Sequence, residues 1–133
     1  DAFAVEGMQS AIDRACACVE AGAQAIFPEA IITLEQYQVF CKAVNVPVLA
    51  NITEFGQTPL FNTKELGAVG VQLVLYPLTA FRMMSQAALN AYETVRNDGV
   101  QTKLINSMQT RESLYQTLNY YDFERKIDEL NKK

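Results

Sequence analysis

The chain has 133 residues, 50% hydrophobic, 20% charged and 10% aromatic, an ordinary composition for one globular domain that buries a core without disulfide or metal staples. It contains no His and no Trp, so it forms by itself no Ser-His-Asp triad, no Cys-His pair and no His-containing zinc site, and its acid–base chemistry falls to carboxylates, Tyr, Lys or Cys. A net charge of −4 without a basic stripe argues against nucleic acid as a partner.

The opening residues Asp1-Ala2-Phe3-Ala4-Val5-Glu6 lack the charged and apolar regions of a signal peptide, and no segment approaches the roughly 20 apolar residues that span a bilayer. The expectation is a cytoplasmic protein without membrane contact. Residues 7–21 then carry Met8, Ala11, Ile12, Ala15, Cys16 and Val19 at three- and four-residue spacing, with Gly22 at the place of a helix-ending glycine, which predicts an amphipathic helix. Ala25-Ile26-Phe27 is a short apolar run stopped by Pro28-Glu29-Ala30 and reads as a buried parallel strand. Thr33 with Gln36 three residues on forms a capping box, and Leu34, Tyr37, Phe40, Cys41 and Val44 continue it as a second helix. Val46-Pro47-Val48-Leu49-Ala50 is a second buried strand, ending in Asn51-Ile52-Thr53.

A loop over residues 54–62 leads to a short helix at 63–66, and the apolar run 70–76 is a third strand stopped by Pro77. Residues 78–97 form a long helix carrying Phe81, Met84, Ala88, Ala91, Tyr92 and Val95, closed by Asn97-Asp98-Gly99. The tail from residue 101 contains no strand pattern, and Leu104, Ile105, Met108, Leu114, Leu118, Phe123, Ile127 and Leu130 give it the apolar surface of two or three docked helices. The three cysteines, Cys16, Cys18 and Cys41, fall on helices; two thiolates two positions apart point in different directions, so they read as small buried helix residues, with a redox Cys-x-Cys pair as the other reading.

Three βα units with apolar strands predict a parallel sheet covered by helices. No Gly-x-Gly-x-x-Gly or phosphate-loop motif occurs, which favours a βα barrel over an open nucleotide-binding sheet, and in barrels the site forms where the strands end. That places Glu29, Asn51 and the loop after it at the candidate site.

The strings Phe27-Pro28-Glu29-Ala30, Leu49-Ala50-Asn51-Ile52-Thr53-Glu54-Phe55-Gly56-Gln57-Thr58-Pro59-Leu60, Leu75-Tyr76-Pro77-Leu78-Thr79-Ala80-Phe81-Arg82 and Met108-Gln109-Thr110-Arg111-Glu112-Ser113-Leu114-Tyr115 together resemble the methylisocitrate lyase family of the isocitrate lyase and phosphoenolpyruvate mutase superfamily. The resemblance runs from Asp1 to about Leu130 and covers the second part of the family's barrel. It implies an α/β fold: part of a (β/α)8 TIM barrel over residues 1–99, with a C-terminal helical extension over residues 100–133 exchanged between subunits of a homotetramer. Asp1-Ala2 resembles the end of the preceding barrel strand. The Mg²⁺ ligands and the loop with the catalytic Cys lie in the family's first part, so the chain is expected to be an inactive fragment of a carbon–carbon lyase of propionate catabolism in the methylcitrate cycle. The parent reaction is a retro-aldol cleavage of 2-methylisocitrate to pyruvate and succinate.

The resemblance also assigns residues. Glu29 is implied as a carboxylate facing substrate and the metal's water shell, where a surface ion pair is the other reading. Asn51, Ile52 and Thr53 are implied to hydrogen-bond a substrate carboxylate through side-chain amide, backbone N–H and hydroxyl; for Asn51 a simple turn residue is the other reading. Arg82 and Arg111 are implied as further carboxylate contacts, since the planar guanidinium takes a carboxylate with two parallel hydrogen bonds; alone, each is an ordinary solvated charge. Thr53-Glu54-Phe55-Gly56 stands where isocitrate lyases carry a serine- and proline-rich loop. The rival function is a non-catalytic half-barrel that binds anions or serves as an assembly piece, with open strand edges and an apolar face that favour association.

Overall fold

A computed structural model describes residues 2–132. In chain order these form α1 (Ala2–Glu6), α2 (Met8–Glu20), α3 (Leu34–Ala43), β1 (Leu49–Asn51), α4 (Thr63–Ala68), β2 (Leu73–Leu75), α5 (Thr79–Asp98), a 3-10 helix (Thr102–Ser107), α6 (Arg111–Thr117) and α7 (Tyr120–Asn131). The chain divides within α5, between Met84 and Ser85, into two compact units.

In the first unit, local sequence rules account for the helix boundaries. After α2, the Gly22 N–H bonds to the Val19 carbonyl and the Ala23 N–H to the Cys18 carbonyl, both at 2.9 Å. This pairing needs a left-handed residue between them, and Gly22 supplies it at φ 107°. The capping box that opens α3 is present: the Gln36 N–H donates to Thr33 Oγ1 at 3.2 Å, and the Thr33 N–H donates back to Gln36 Oε1 at 3.1 Å. Thr33→Ala is expected to lower stability by about 1 kcal/mol in urea denaturation, whereas Thr33→Ser should stay close to wild type.

The core gathers Ala15 from α2, Tyr37 and Phe40 from α3, Leu66 from α4, Val48, Ala50 and Ile52 from the β1 region, and Ile31, Val44 and Val71 between elements. Tyr37 and Phe40 are one helical turn apart and are 1% and 2% exposed; burying each contributes roughly 1.5–3 kcal/mol. Gly70 closes the turn into β2 at φ 98°, and a Cβ there would stand 3.1 Å from that of Cys41. Val48, Ala50 and Ile52 alternate with Leu49 and Asn51, so the helices cover one face of β1 and the amide of Asn51 belongs to the other.

Three expectations about the strands need correction. Residues 25–27 do not form a buried strand: Ile26 makes a single parallel bridge to Val48, through Ile26 N–H to the Pro47 carbonyl and Leu49 N–H to the Ile26 carbonyl, both 2.9 Å. Pro28 has no N–H to extend the ladder, Ala30 turns the chain at φ 64°, and Phe27 is 44% exposed. The third strand is likewise not buried on both faces, because β2 pairs only with β1, in the register Leu49 to Leu73, Ala50 to Val74 and Asn51 to Leu75. Val74 turns to the core while Leu73 and Leu75 stay 46% and 38% exposed on the uncovered face. Finally, Ala2 belongs to helix α1 rather than to a strand end, while Asp1 lies outside the described residues.

Cys16 and Cys41 are half-buried beside the core, but Cys18 is exposed, so it is not the small buried residue that was expected. Two positions on a helix rotate the side chain by about 200°, which turns Cys18 to solvent when Cys16 faces inward. All three thiols are free.

In the second unit the tail is helical, without a strand among its described residues. Asn119 links α6 to α7 in a left-handed conformation at φ 51°. Around this turn Tyr115 stacks on Tyr120 with ring centroids 4.3 Å apart, and Tyr121 meets Tyr115 edge-on at 5.7 Å. Helices α6 and α7 contain no buried residue; Leu118, Phe123, Ile127 and Leu130 form an exposed apolar series.

Candidate functional site

Parallel pairing brings three segment ends to the same end of the sheet. Ile26 sits opposite Val48, and Leu49 opposite Leu73, so Glu29, Asn51 and Tyr76 each follow a paired segment on its carboxyl side. The loop after Asn51 is tied to the loop that carries Glu29 by the Thr58 hydroxyl, which donates to the Ile31 carbonyl at 2.8 Å.

Glu29 is exposed and makes no hydrogen bond or ion pair among the described residues. It stands in a cleft of about 340 Å³ that Arg14, Phe27, Ile31 and Phe40 also line. Its charge reaches the core: burial foremost, then the charges of Cys41 and Glu29, push the Tyr37 phenol up to about 12. Because the folded state holds that proton more tightly than the unfolded chain, the contribution is complete below pH 10 and is lost as pH rises toward 12. Alkaline unfolding should therefore lose roughly 2–3 kcal/mol over this window, and Tyr37→Phe should flatten the loss in denaturant titrations at pH 9 to 12.

At the end of β1, Asn51 places its Oδ1 in a buried position with no donor among the described residues, so the fold leaves part of this amide's hydrogen-bonding capacity unused. Ile52 differs from its expected part. Its side chain is 3% exposed within the core, and its N–H donates to the Leu75 carbonyl at 2.8 Å, which engages that donor in the sheet rather than with an anion. Thr53 is half-buried, with Gly56 folding back over it so closely that a Cβ at Gly56 would lie 3.1 Å from Thr53 Cγ2.

Arg82, in the first turns of α5, reaches back over this loop. Its Nη1 donates to the Glu54 carbonyl at 2.6 Å and to Glu54 Oε2 at 3.1 Å, and its guanidinium carbon lies 5.1 Å from the centre of the Phe55 ring. The Thr79 hydroxyl donates to the other Glu54 carboxylate oxygen. That bond, the residue's own backbone N–H and the Arg82 guanidinium hold the Glu54 carboxyl below the usual carboxylate range. Phe55, 95% exposed, adopts φ 64°, a costly conformation for an aromatic residue. Glu54, Phe55 and Thr79 were not singled out from the sequence. The available signal was the i, i+3 spacing of Thr79 and Arg82, which puts both on one helical face.

Arg111 belongs to the second unit. It is exposed in the first turn of α6, whose Thr110 cap accepts the Ser113 N–H at 3.1 Å. A cation in a first turn opposes the helix dipole, at a typical cost of about 0.3–1 kcal/mol, so helix stability does not account for an arginine there.

The phosphoenolpyruvate phosphomutase family model matches residues 1–96. The 2-methylisocitrate lyase of Escherichia coli strain K12 is 55% identical over 130 residues, which is 98% of this chain and 44% of that protein. The 2-methylisocitrate lyase of Vibrio cholerae serotype O1 is also 55% identical, over the same shares of the two chains. The chain thus spans less than half the length of these relatives. Among solved structures, 2,3-dimethylmalate lyase, described as a phosphoenolpyruvate mutase/isocitrate lyase superfamily member, aligns with a TM-score of 0.82 at 24% identity, over 98% of this chain and 45% of that one. Oxaloacetate acetylhydrolase in complex with oxalate aligns at 0.85 and 22% identity, over the same shares. The chain shares the fold of the aligned parts of these two structures.

Proposed function

The chain belongs to the phosphoenolpyruvate phosphomutase family, and from that membership we propose that it is the C-terminal, carboxylate-recognising portion of a 2-methylisocitrate lyase. The observation that carries the reading is the arrangement at the carboxyl end of β1. The Asn51 side-chain amide there makes no hydrogen bond among the described residues, so that besides the buried, unpaired Oδ1 its Nδ2 is left to donate, and Arg82 reaches to Glu54, the residue after Thr53. Such a site offers an amide, a hydroxyl and a guanidinium, the donor set that binds a carboxylate.

In the parent reaction the C2 hydroxyl of 2-methylisocitrate loses its proton and becomes the keto oxygen of pyruvate. The C2–C3 bond breaks, its electron pair passes to the carbon beside a carboxylate, and protonation of that carbon gives succinate. Asn51, Thr53 and Arg82 hold a substrate carboxylate and Arg111 is a further carboxylate contact, and neutralising these groups stabilises the charge that moves onto the departing fragment. Glu29 faces the reacting end. The Ile52 N–H supports the ladder from behind. The acid–base Cys is supplied by the part of the barrel outside this chain. Mg²⁺, which would stabilise enolate charge when bound, is in this reading likewise held by the part of the barrel outside this chain. No helix among those residues is long and apolar enough to cross a membrane.

In this reading residues 1–99 are the barrel portion and residues 100–133 a helical extension exchanged between subunits of a homotetramer. The exposed apolar series on α6 and α7 supports the exchange. The second reading, a non-catalytic anion-binding or assembly module, draws on the exposed Leu73 and Leu75 of the uncovered sheet face. Mixing the chain with the N-terminal portion of a 2-methylisocitrate lyase and Mg²⁺ separates the two. Pyruvate release from the mixture, with none from the chain alone, supports the lyase reading, whereas folding and anion binding without turnover favours the module. Size-exclusion chromatography of the chain by itself is expected to give an oligomer; a folded monomer at high concentration would count against helix exchange.

A further inference from the structure

We propose that Glu54 is the positioning residue of Arg82: it fixes one corner of the guanidinium so that the opposite edge is presented to a substrate carboxylate. This rests on the reading of Arg82 as a carboxylate contact and assigns to Glu54 the part that makes it one. Both hydrogen bonds from Arg82 leave the same nitrogen, Nη1, toward the Glu54 carbonyl at 2.6 Å and Glu54 Oε2 at 3.1 Å. The hydrogens of Nε and Nη2 find no acceptor among the described residues. A guanidinium has five N–H groups in a rigid plane, and the parallel Nε–Nη2 pair matches the two oxygens of a carboxylate. A carboxylate that blocked the arginine would occupy that edge; Glu54 leaves it open.

Glu54 is itself fixed. Its second carboxylate oxygen accepts from Thr79, one turn before Arg82 on α5, so a single helical face grips both oxygens and the loop cannot shift without breaking both contacts. The Phe55 ring, 5.1 Å from the guanidinium carbon, adds a flat surface that limits rotation. The side chains of Arg82 and Glu54 are 34% and 25% exposed, so the pair remains within reach of a small anion. Without the Glu54 carboxylate only the bond from Nη1 to the backbone carbonyl at 2.6 Å remains, about which the guanidinium can pivot, and binding would have to order it.

The test is succinate titration of the ¹⁵N-labelled 133-residue chain, read at the Arg82 Nε–Hε resonance, which Arg82→Lys identifies by its disappearance. Three proteins are compared: wild type, Glu54→Ala and Glu54→Gln, with the dispersed backbone spectrum of each as the control for folding. In wild type succinate shifts the resonance. Glu54→Ala should weaken the succinate affinity roughly 3- to 10-fold, the factor associated with ordering one rotamer-rich side chain. Glu54→Gln keeps an acceptor for Nη1 and should bind as well as wild type or better, because it removes a negative charge. Equal or tighter binding by Glu54→Ala overturns the proposal and leaves Arg82 as a carboxylate contact. Loss in Glu54→Gln as large as in Glu54→Ala also overturns it, since charge and not position would then be responsible. If succinate moves the Arg82 resonance in none of three folded proteins, the carboxylate reading of Arg82 itself fails and the proposal falls with it.

Discussion

Phe40→Ala is expected to unfold the first compact unit, or to leave it folded only at low temperature or low denaturant. Phe40 is 2% exposed and packs with Tyr37, Ile31, Val44, Val48 and Leu66 in the one core of that unit. Truncating a buried phenylalanine removes its transfer free energy and leaves a cavity, together about 3–5 kcal/mol. Domains are stable by roughly 0.05–0.15 kcal/mol per residue, so the unit ending at Met84 has about 4–13 kcal/mol in total, and the loss is a large part of it. Urea denaturation followed by far-ultraviolet circular dichroism measures the effect. A midpoint unchanged from wild type would mean that the core described for this unit does not hold it together. Phe40→Leu, which keeps most of the volume, should lose a third to a half as much.

Arg82→Ala, in the enzyme reassembled from this chain and an N-terminal portion, is expected to reduce kcat/KM about 10²-fold. A hydrogen bond to a charged group contributes about 1.5–3 kcal/mol, and the guanidinium edge offers two to one carboxylate. Arg82→Lys should recover only part of the loss, because an ammonium restores charge without the planar pair of donors. Measured kinetics for the two variants separate charge from geometry, and a kcat/KM for Arg82→Ala within a factor of three of wild type would remove Arg82 from the site. The same substitution frees Glu54 of its ion pair, so part of any change in stability belongs to the loop rather than to substrate; denaturation of the variant without ligand measures that part.

Glu54 shows how the site was only half legible. Its neighbours Asn51 and Thr53, the proposed carboxylate contacts, are marked by following an apolar strand pattern, a position that one-dimensional reading can locate. Glu54 has no such marker: as a sequence element it is one acidic residue in a polar loop, and only the return of α5 over that loop brings Arg82 and Thr79 to its two oxygens. Ile52 fails in the opposite direction. The motif includes it, yet hydrogen-bond pairing with Leu75 assigns its N–H to the sheet, and pairing between segments more than twenty residues apart has no local signature.

What the sequence determined by itself is whatever depends on neighbours along the chain. The capping box at Thr33, the Gly22 end of α2, the helical tail and the parallel βα order follow from residues within one or two turns of each other, where backbone geometry leaves few choices. Motif order was also enough for the family. Burial and partnership were decided by tertiary structure alone. Apolar composition predicted buried strands, but burial needs cover on both faces, and Leu73, Leu75 and Phe27 have it on neither or on one. Which donor of Asn51-Ile52-Thr53 is engaged in the sheet, and which carboxylate holds Arg82, depended on contacts between distant segments, because hydrogen bonds are satisfied by proximity in space and not by order in the chain.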